Sequence, residues 1–472
     1  MMNPPLPARF ALARLLAGAA LAAGAALAPP AQADATLEPL TNLLPQPGSA
    51  GLGAVLRVET SPYRDGGRRY DLMPLYLYEG ERFFLHANRG GVKLGEDADE
   101  RIDLFVEQRI EGFPADRLPD SLTGMAKRDA GVDLGVSWRW RQPWGTLQGE
   151  LLHDASGFSR GSEARLVYTY DWRSGPWSLR PSLSLALRDA RLNNYYYGVR
   201  PGEATPGRAA YAPGAGLNTA FGLYGAYDYS ARWRLLAGVS ATVLDRSVQG
   251  SPTVQKRVLP SFYVGAAYDF GGHAREWAAP GSPTWFKLLY GKATDDGCHL
   301  LKIVTAQCLS TAQVHPTSIT ALQVGKPFLQ NVNGWPVDFV GYAGLAHHND
   351  RGLQPAGLQL DVFMKAFYSD FPWSGRVKTR LGMGVGVSLA QRAPYIEASS
   401  QAQDGKPTSR MLNYLDPTLD VSLGDLVGSR VLKDTFIGVG VSHRSGIFGS
   451  SRLLGNVSGG SNYLYSYVET AL

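Results

Sequence analysis

Clustered positive charge, long apolar runs and cysteine are all scarce in this chain. Its 46 Lys and Arg face 41 Asp and Glu, for a formal net charge of +5. The cations are scattered, so the basic footprint of a nucleic-acid binder is missing and no such partner is expected. After Leu27 no run of about 18 apolar residues occurs, which excludes transmembrane helices. The only cysteines, Cys298 and Cys308, lie in an irregular segment, where an oxidising compartment would join them as one disulfide pinning a loop. His299 beside them adds too few ligands for a metal site, and no cofactor is expected.

What is abundant points to strands. Gly numbers 55 and aromatics make up 11% of the chain, a combination that suits twisted strands with one face on lipid or packed side chains. The N-terminus explains the compartment. Arg9 and Arg14 precede the alanine-rich apolar run Leu15 to Leu27, and Ala31-Gln32-Ala33 follows. Residues 1–33 therefore read as a signal peptide cleaved before Asp34, with an uncleaved anchor as the alternative. An exported protein with no spanning helix can still live in a membrane as a closed barrel. The expected location is the outer membrane of a Gram-negative type cell.

Alternation with period 2 begins near Gly51 and continues almost to the end. In one stretch Ala164, Leu166, Tyr168, Tyr170 and Trp172 alternate with Glu163, Arg165, Val167, Thr169 and Asp171. In another, Trp233, Leu235, Ala237, Val239, Ala241 and Val243 alternate with Arg232, Arg234, Gly238, Ser240 and Thr242. Apolar-out and polar-in strands near ten residues long, with aromatic ends, mark a barrel facing lipid. The fold class is all-β, transmembrane and antiparallel. Candidate strands run near 51–60, 70–79, 81–88, 102–110, 131–140, 144–153, 162–172, 176–189, 216–229, 232–244 and 259–270. That is about 10–12 strands, and the connections 111–130, 190–215 and 245–258 are long enough for extracellular loops.

The run Phe262 to Phe270 reads as a closing strand, with Phe262, Val264, Ala266, Tyr268 and Phe270 on one face. A terminal Phe of this kind usually ends a barrel protein, yet about two hundred residues follow. A Gly/Pro-rich linker, 271–283, comes next. Alternation then restarts near 284–293, 316–327, 336–347, 357–370, 376–389, 412–424, 432–445 and 460–470, with a further strand around 300–308. This half, 284–472, can close as a barrel of about eight strands whose interior is filled by side chains. Two barrels in tandem, 34–270 and 284–472, explain the internal terminus better than one barrel of roughly twenty strands.

The first half resembles the MipA/OmpV family of outer-membrane proteins from roughly Leu37 to Phe270. The residues carrying the likeness, in order, are Gly51-Leu52-Gly53, Ser61-Pro62-Tyr63, Tyr70 with Pro74 and Tyr76, and Asp154-Ala155-Ser156-Gly157. Tyr195-Tyr196-Tyr197-Gly198-Val199 follows, then Glu203-Ala204, Gly207-Arg208, Tyr211, Ser251-Pro252-Thr253-Val254 and the closing Tyr-Asp-Phe. The resemblance implies an outer-membrane barrel that scaffolds murein-processing enzymes, with a lytic transglycosylase and a murein synthase as partners. Tyr195, Tyr196 and Tyr197 read either as an aromatic girdle at the lipid–water boundary or as a partner-binding loop with Arg208 as a polar contact. His86 and His153 have no matched nucleophile.

The second half carries Val441-Ser442-His443-Arg444-Ser445. Residues two apart on a strand share a face, so His443 and Ser445 end the apolar face of Ile437, Val439 and Val441. A His–Ser pair aimed at outer-leaflet lipid is suited to ester hydrolysis, His taking the Ser proton and Ser attacking the acyl carbon. The pattern resembles the PagL-type lipid A deacylases, small barrels with a late His-x-Ser, and this implies Ser445 as nucleophile and His443 as general base. Those enzymes have an acid shortly after the Ser, whereas residues 446–462 contain none. Glu469 lies about 30 Å along the last strand from Gly460, at ~3.3 Å per residue, and Asn462 is the group placed to orient the ring. The bland alternative is a polar collar at the membrane boundary. His347 and His348 read as a solvated loop entry. The scaffold is the leading expectation, a lipid A deacylase acting on lipopolysaccharide the second, and a diffusion porin the third.

Overall fold

The computed structural model describes residues 50–113, 118–270, 281–295, 297–403, 405–406, 408–447, 451, 454 and 457–472. The predicted signal peptide, 1–33, and residues 271–280 of the predicted linker lie outside the described residues.

Two closed antiparallel barrels follow one another along the chain. The first contains β1 (Ala50–Thr60), β2 (Arg68–Glu79), β3 (Phe83–His86), β4 (Arg89–Glu96), β5 (Glu100–Gln108), β6 (Val132–Gln142) and β7 (Gly145–Asp154). It continues with β8 (Ser162–Thr169), β9 (Trp172–Ser174), β10 (Trp177–Arg188), β11 (Gly216–Asp228), β12 (Trp233–Val243) and β13 (Val258–Asp269). The three-residue β9 only extends the β10 hairpin, so twelve strands close the wall, with β1 paired to both β2 and β13. The second barrel has eight: β14 (Trp285–Ala293), β15 (Ser318–Leu329), β16 (Val337–Asn349), β17 (Gly357–Tyr368), β18 (Thr379–Ala390), β19 (Met411–Ser422), β20 (Thr435–Ser445) and β21 (Gly460–Ala471). Its first and last strands pair, from Trp285 opposite Ala471 to Ala293 opposite Tyr463.

Alternation sends apolar side chains out and fills both lumens. On β13 Phe262 and Val264 are 55% and 58% exposed, while Tyr263 between them is buried. Inside the first barrel Glu150 accepts from Arg89 at 2.6 Å and Arg165 at 3.0 Å, and Arg109 reaches Asp133 at 2.7 Å and Glu163 at 2.8 Å. A second, apolar part of that lumen packs Val55, Met73, Leu75, Leu77, Tyr224 and Tyr263. The polar-in rule thus covers only part of the interior. In the second barrel Asp416 holds Lys365 at 2.6 Å and Lys287 at 3.3 Å, and Tyr414, Tyr463, Tyr465 and Tyr467 are buried around them.

Three sequence expectations change. The stretch 81–88 is not one strand: Ala87, at φ 54°, turns the chain so that β3 stops at His86 and β4 runs back from Arg89. Arg89–Glu96 escaped notice because its apolar face is short, only Val92 and Leu94 opposite the inward Arg89 and Lys93. No strand forms at 300–308. A disulfide joins Cys298 and Cys308 with Cα atoms 5.5 Å apart, whereas ten extended residues span roughly 33 Å. The segment instead makes a short helix, α1 (Leu300–Val304), and the other eight strands close the barrel without it. The aromatic girdle of the first barrel is also not Tyr195–Tyr197. Trp138, Trp140, Trp144 and Tyr168 stack around the β6–β7 turn, and Trp177 with Tyr227 and Trp233 with Tyr268 continue the series at the same end.

Phe270, the internal terminus, packs its ring 4.7 Å from Phe339 of the second barrel, and Tyr78 lies 5.3 Å from Phe328. Ala50, Leu329, Val332 and Met364 belong to the same cluster. The outward face that would otherwise end in lipid ends against the neighbouring barrel.

Candidate active site on the wall of the second barrel

His443 and Ser445 sit near the extracellular end of β20, and the register places His443 opposite Asn462 and Ser445 opposite Gly460 on β21. Both side chains point outward and are half-buried, while Ser442 and Arg444 between them point into the barrel. Arg444 is an internal brace, bonded to Glu397 at 3.1 Å and to the Ser388 hydroxyl at 2.6 Å. The structure brings His443 and Asn462 together: His443 Nδ1 and Asn462 Oδ1 are 2.6 Å apart. It does not join Ser445 to His443 by a hydrogen bond among the described residues. Glu469 is remote, facing inward toward Arg380 and bonded to Tyr342 at 2.6 Å.

Asn462 is held from behind. Its Nδ2 donates to the Cys298 carbonyl at 3.1 Å, and its own carbonyl accepts from Thr294 N at 3.0 Å. Both partners lie in the connection after β14, which folds back over the outer wall. Val441 shows the consequence: it faces outward yet is 4% exposed, because Cys298 and Ile303 pack on it. The Cys298 contribution is a main-chain oxygen, so no side-chain pattern could have announced it.

The remaining candidates fall elsewhere. His348 is buried inside the second barrel, 2.8 Å from Gln359 Oε1, so it is not a solvated loop residue; His347 points out and is exposed. Tyr195, Tyr196 and Tyr197 lie on a helix, α2 (Ala190–Tyr197), in the long loop after β10. Tyr196 and Tyr197 are 1% exposed and pack with Tyr63, Phe113, Leu122 and Val248 in a cap over the extracellular end of the first barrel. Tyr195 is half-buried, and its hydroxyl accepts from Asp129 N at 2.8 Å. Burial pushes its phenol up to about 12. Arg208 is buried and donates to the carbonyls of Ser121 at 2.6 Å, Thr123 at 3.1 Å and Glu203 at 2.9 Å. Three of these four side chains therefore build the cap and present no free surface. Arg128, which sequence reasoning did not single out, and Glu203, one of the residues carrying the family likeness, tie it together.

The family described as MltA-interacting protein MipA matches residues 52–270, the span of the first barrel. The outer membrane protein Omp26La of Vibrio anguillarum is 32% identical over 200 residues, covering 42% of this chain and 77% of that protein. The MltA-interacting protein of Escherichia coli K12 is 25% identical over 225 residues, covering 47% and 91%. The putative outer membrane protein YiaT of Escherichia coli O157:H7 is 25% identical over 221 residues, covering 46% and 90%. With these matches and two lipid-facing barrels, the chain is an outer-membrane protein that belongs to the MipA family through its first barrel.

Proposed function

We propose that the chain is an envelope scaffold whose first barrel holds a murein-processing enzyme at the outer membrane. The observation behind this reading is a barrel whose interior buries Arg89, Glu150, Arg165 and Tyr263 and whose extracellular end is capped by Tyr196 and Tyr197, a packed platform. A relative bears the name MltA-interacting protein, and the partner class it suggests is a lytic transglycosylase, with a murein synthase in the same assembly. Pull-down from solubilised membranes tests this: enrichment of such an enzyme is the expected result, and its absence removes the partner assignment.

A second reading concerns the second barrel, and the 2.6 Å contact of His443 with Asn462 favours it. In this reading His443 Nε2 takes the proton of Ser445 Oγ, the oxygen attacks an acyl ester of lipid A, and the leaving hydroxyl receives that proton. Water then releases the acyl chain by the same route in reverse. Lipid A from cells expressing the protein would lack one ester-linked chain, and Ser445→Ala would restore it. Identical mass spectra for the two would exclude hydrolysis.

A further inference from the structure

The ring orientation of His443 is set by a chain of hydrogen bonds that ends in the disulfide-closed loop. A main-chain carbonyl can only accept, so the Asn462 side-chain atom 3.1 Å from the Cys298 oxygen must be the NH₂. The opposite atom, 2.6 Å from His443 Nδ1, is then the amide oxygen, which also only accepts. His443 must therefore carry a proton on Nδ1, and in the neutral ring Nε2 is then bare. The donor–acceptor chemistry leaves no other neutral tautomer.

The Cys298 carbonyl is held by its own anchors. Cys298 N donates to the Asp295 carbonyl at 2.9 Å, the bridge to Cys308 closes the loop, and the Cys298 side chain is buried against Val441 of the strand that carries His443. Asn462 is tied to the same loop a second time through Thr294 N at 3.0 Å. Loop, amide and imidazole thus form one connected unit spanning β14, β20 and β21.

We infer that the Cys298–Cys308 loop is a positioning element: through its Cys298 carbonyl it fixes the Asn462 amide, and through Asn462 it locks His443 as the Nδ1–H tautomer with Nε2 free to act as base. This takes the place of the acid missing after Ser445, and it rests on the ester-hydrolase reading for its purpose but not for its geometry. Asn462 and the loop are positioning groups; neither touches the ester.

The test uses full-length protein in detergent micelles, ¹⁵N-labelled at histidine, with His443→Gln to assign the signal. The wild type is expected to show a bare Nε2 and a protonated Nδ1. In a Cys298→Ser/Cys308→Ser double variant, the signal should shift toward the Nε2–H form that free imidazole favours. Reducing the folded wild type with dithiothreitol gives the same comparison without refolding. Unchanged tautomers in both treatments, or an Nε2–H wild type, would overturn the proposal. Lipid A mass spectra run in parallel read the other claim. A tautomer shift accompanied by a loss of turnover of about 10²-fold at unchanged KM supports both, against ~10⁴ for a wrong tautomer in a Ser–His–Asp enzyme. A tautomer shift with lipid A untouched by wild type supports the positioning chain and sinks the hydrolase reading alone.

Discussion

Arg128 and Glu203 are 75 residues apart in sequence, and their side chains meet in a two-pronged pair at 3.1 and 2.8 Å. The pair joins two extracellular connections of the first barrel, and Arg128 also donates to the carbonyls of Ala126 at 2.6 Å and Gly198 at 3.3 Å. Burial by itself would raise the Glu203 carboxyl. Arg128 and the backbone N–H groups of Arg200 and Ala126 outweigh it and hold the group down at about 2.

That depression has a defined pH consequence. A carboxylate with a lowered folded-state pKa stabilises the cap above its unfolded value, 4.5, and the contribution is lost as pH falls toward about 2. Hydrogen exchange of residues 118–131 and 199–211 in micelles is expected to lose protection across that window. Glu203→Gln should start with lower protection and show a flatter profile. A wild-type profile as flat as the variant's would contradict the assignment.

Glu150 is the sharpest test of the first lumen, because it is buried between Arg89 and Arg165. Removing one member of a buried ion-pair set costs about 3–5 kcal/mol, since the opposite charges stay buried. Glu150→Ala should lower folding stability in lipid vesicles by that amount, read from urea titrations of tryptophan fluorescence. A loss below about 1 kcal/mol would mean that water reaches these groups.

The outward assignment of β13 predicts a depth-dependent penalty. Val264, 58% exposed in mid-strand, faces lipid, and Val264→Arg is expected to cost about 2–4 kcal/mol. Tyr70, 65% exposed near the start of β2, lies by the extracellular boundary, where the same change costs about 0–1 kcal/mol. Equal penalties at the two positions would argue against the membrane placement of the wall.

Both lumens are packed with side chains, so reconstituted protein is expected to leave liposomes ion-tight. Steady solute flux would revive the diffusion-porin alternative and displace the filled-barrel description.

Asn462→Asp places a carboxylate against His443 Nδ1, in a stretch that otherwise contains no acid. If the second barrel hydrolyses lipid A esters, this change should raise turnover by about tenfold or more, given the ~10⁴ range that ring orientation spans in a Ser–His–Asp enzyme. His443→Ala should abolish the product. A variant slower than wild type would mean that an amide, with its second bond to Cys298, serves this site better than a charge.

Alternation by itself determined most of the architecture. A side-chain period of 2 carries its faces in the sequence, so the outward run of Phe262 and Val264, the two barrels and the break after Phe270 could be read directly. The pairing of His443 and Ser445 on one outward face follows from the same rule. Signals with no period stayed hidden. β4 offers only two apolar side chains, Val92 and Leu94, and the turn at Ala87 depends on one backbone angle. The cap around Tyr196 and Tyr197 joins loops distant in sequence, which is why its tyrosines resembled a lipid-boundary girdle. Only tertiary structure decided that Phe270 meets Phe339 instead of lipid, and that Asn462 stands between His443 and a main-chain oxygen of a disulfide loop. Every carbonyl looks alike in a sequence, and long-range packing alone selects the one that a side chain will meet.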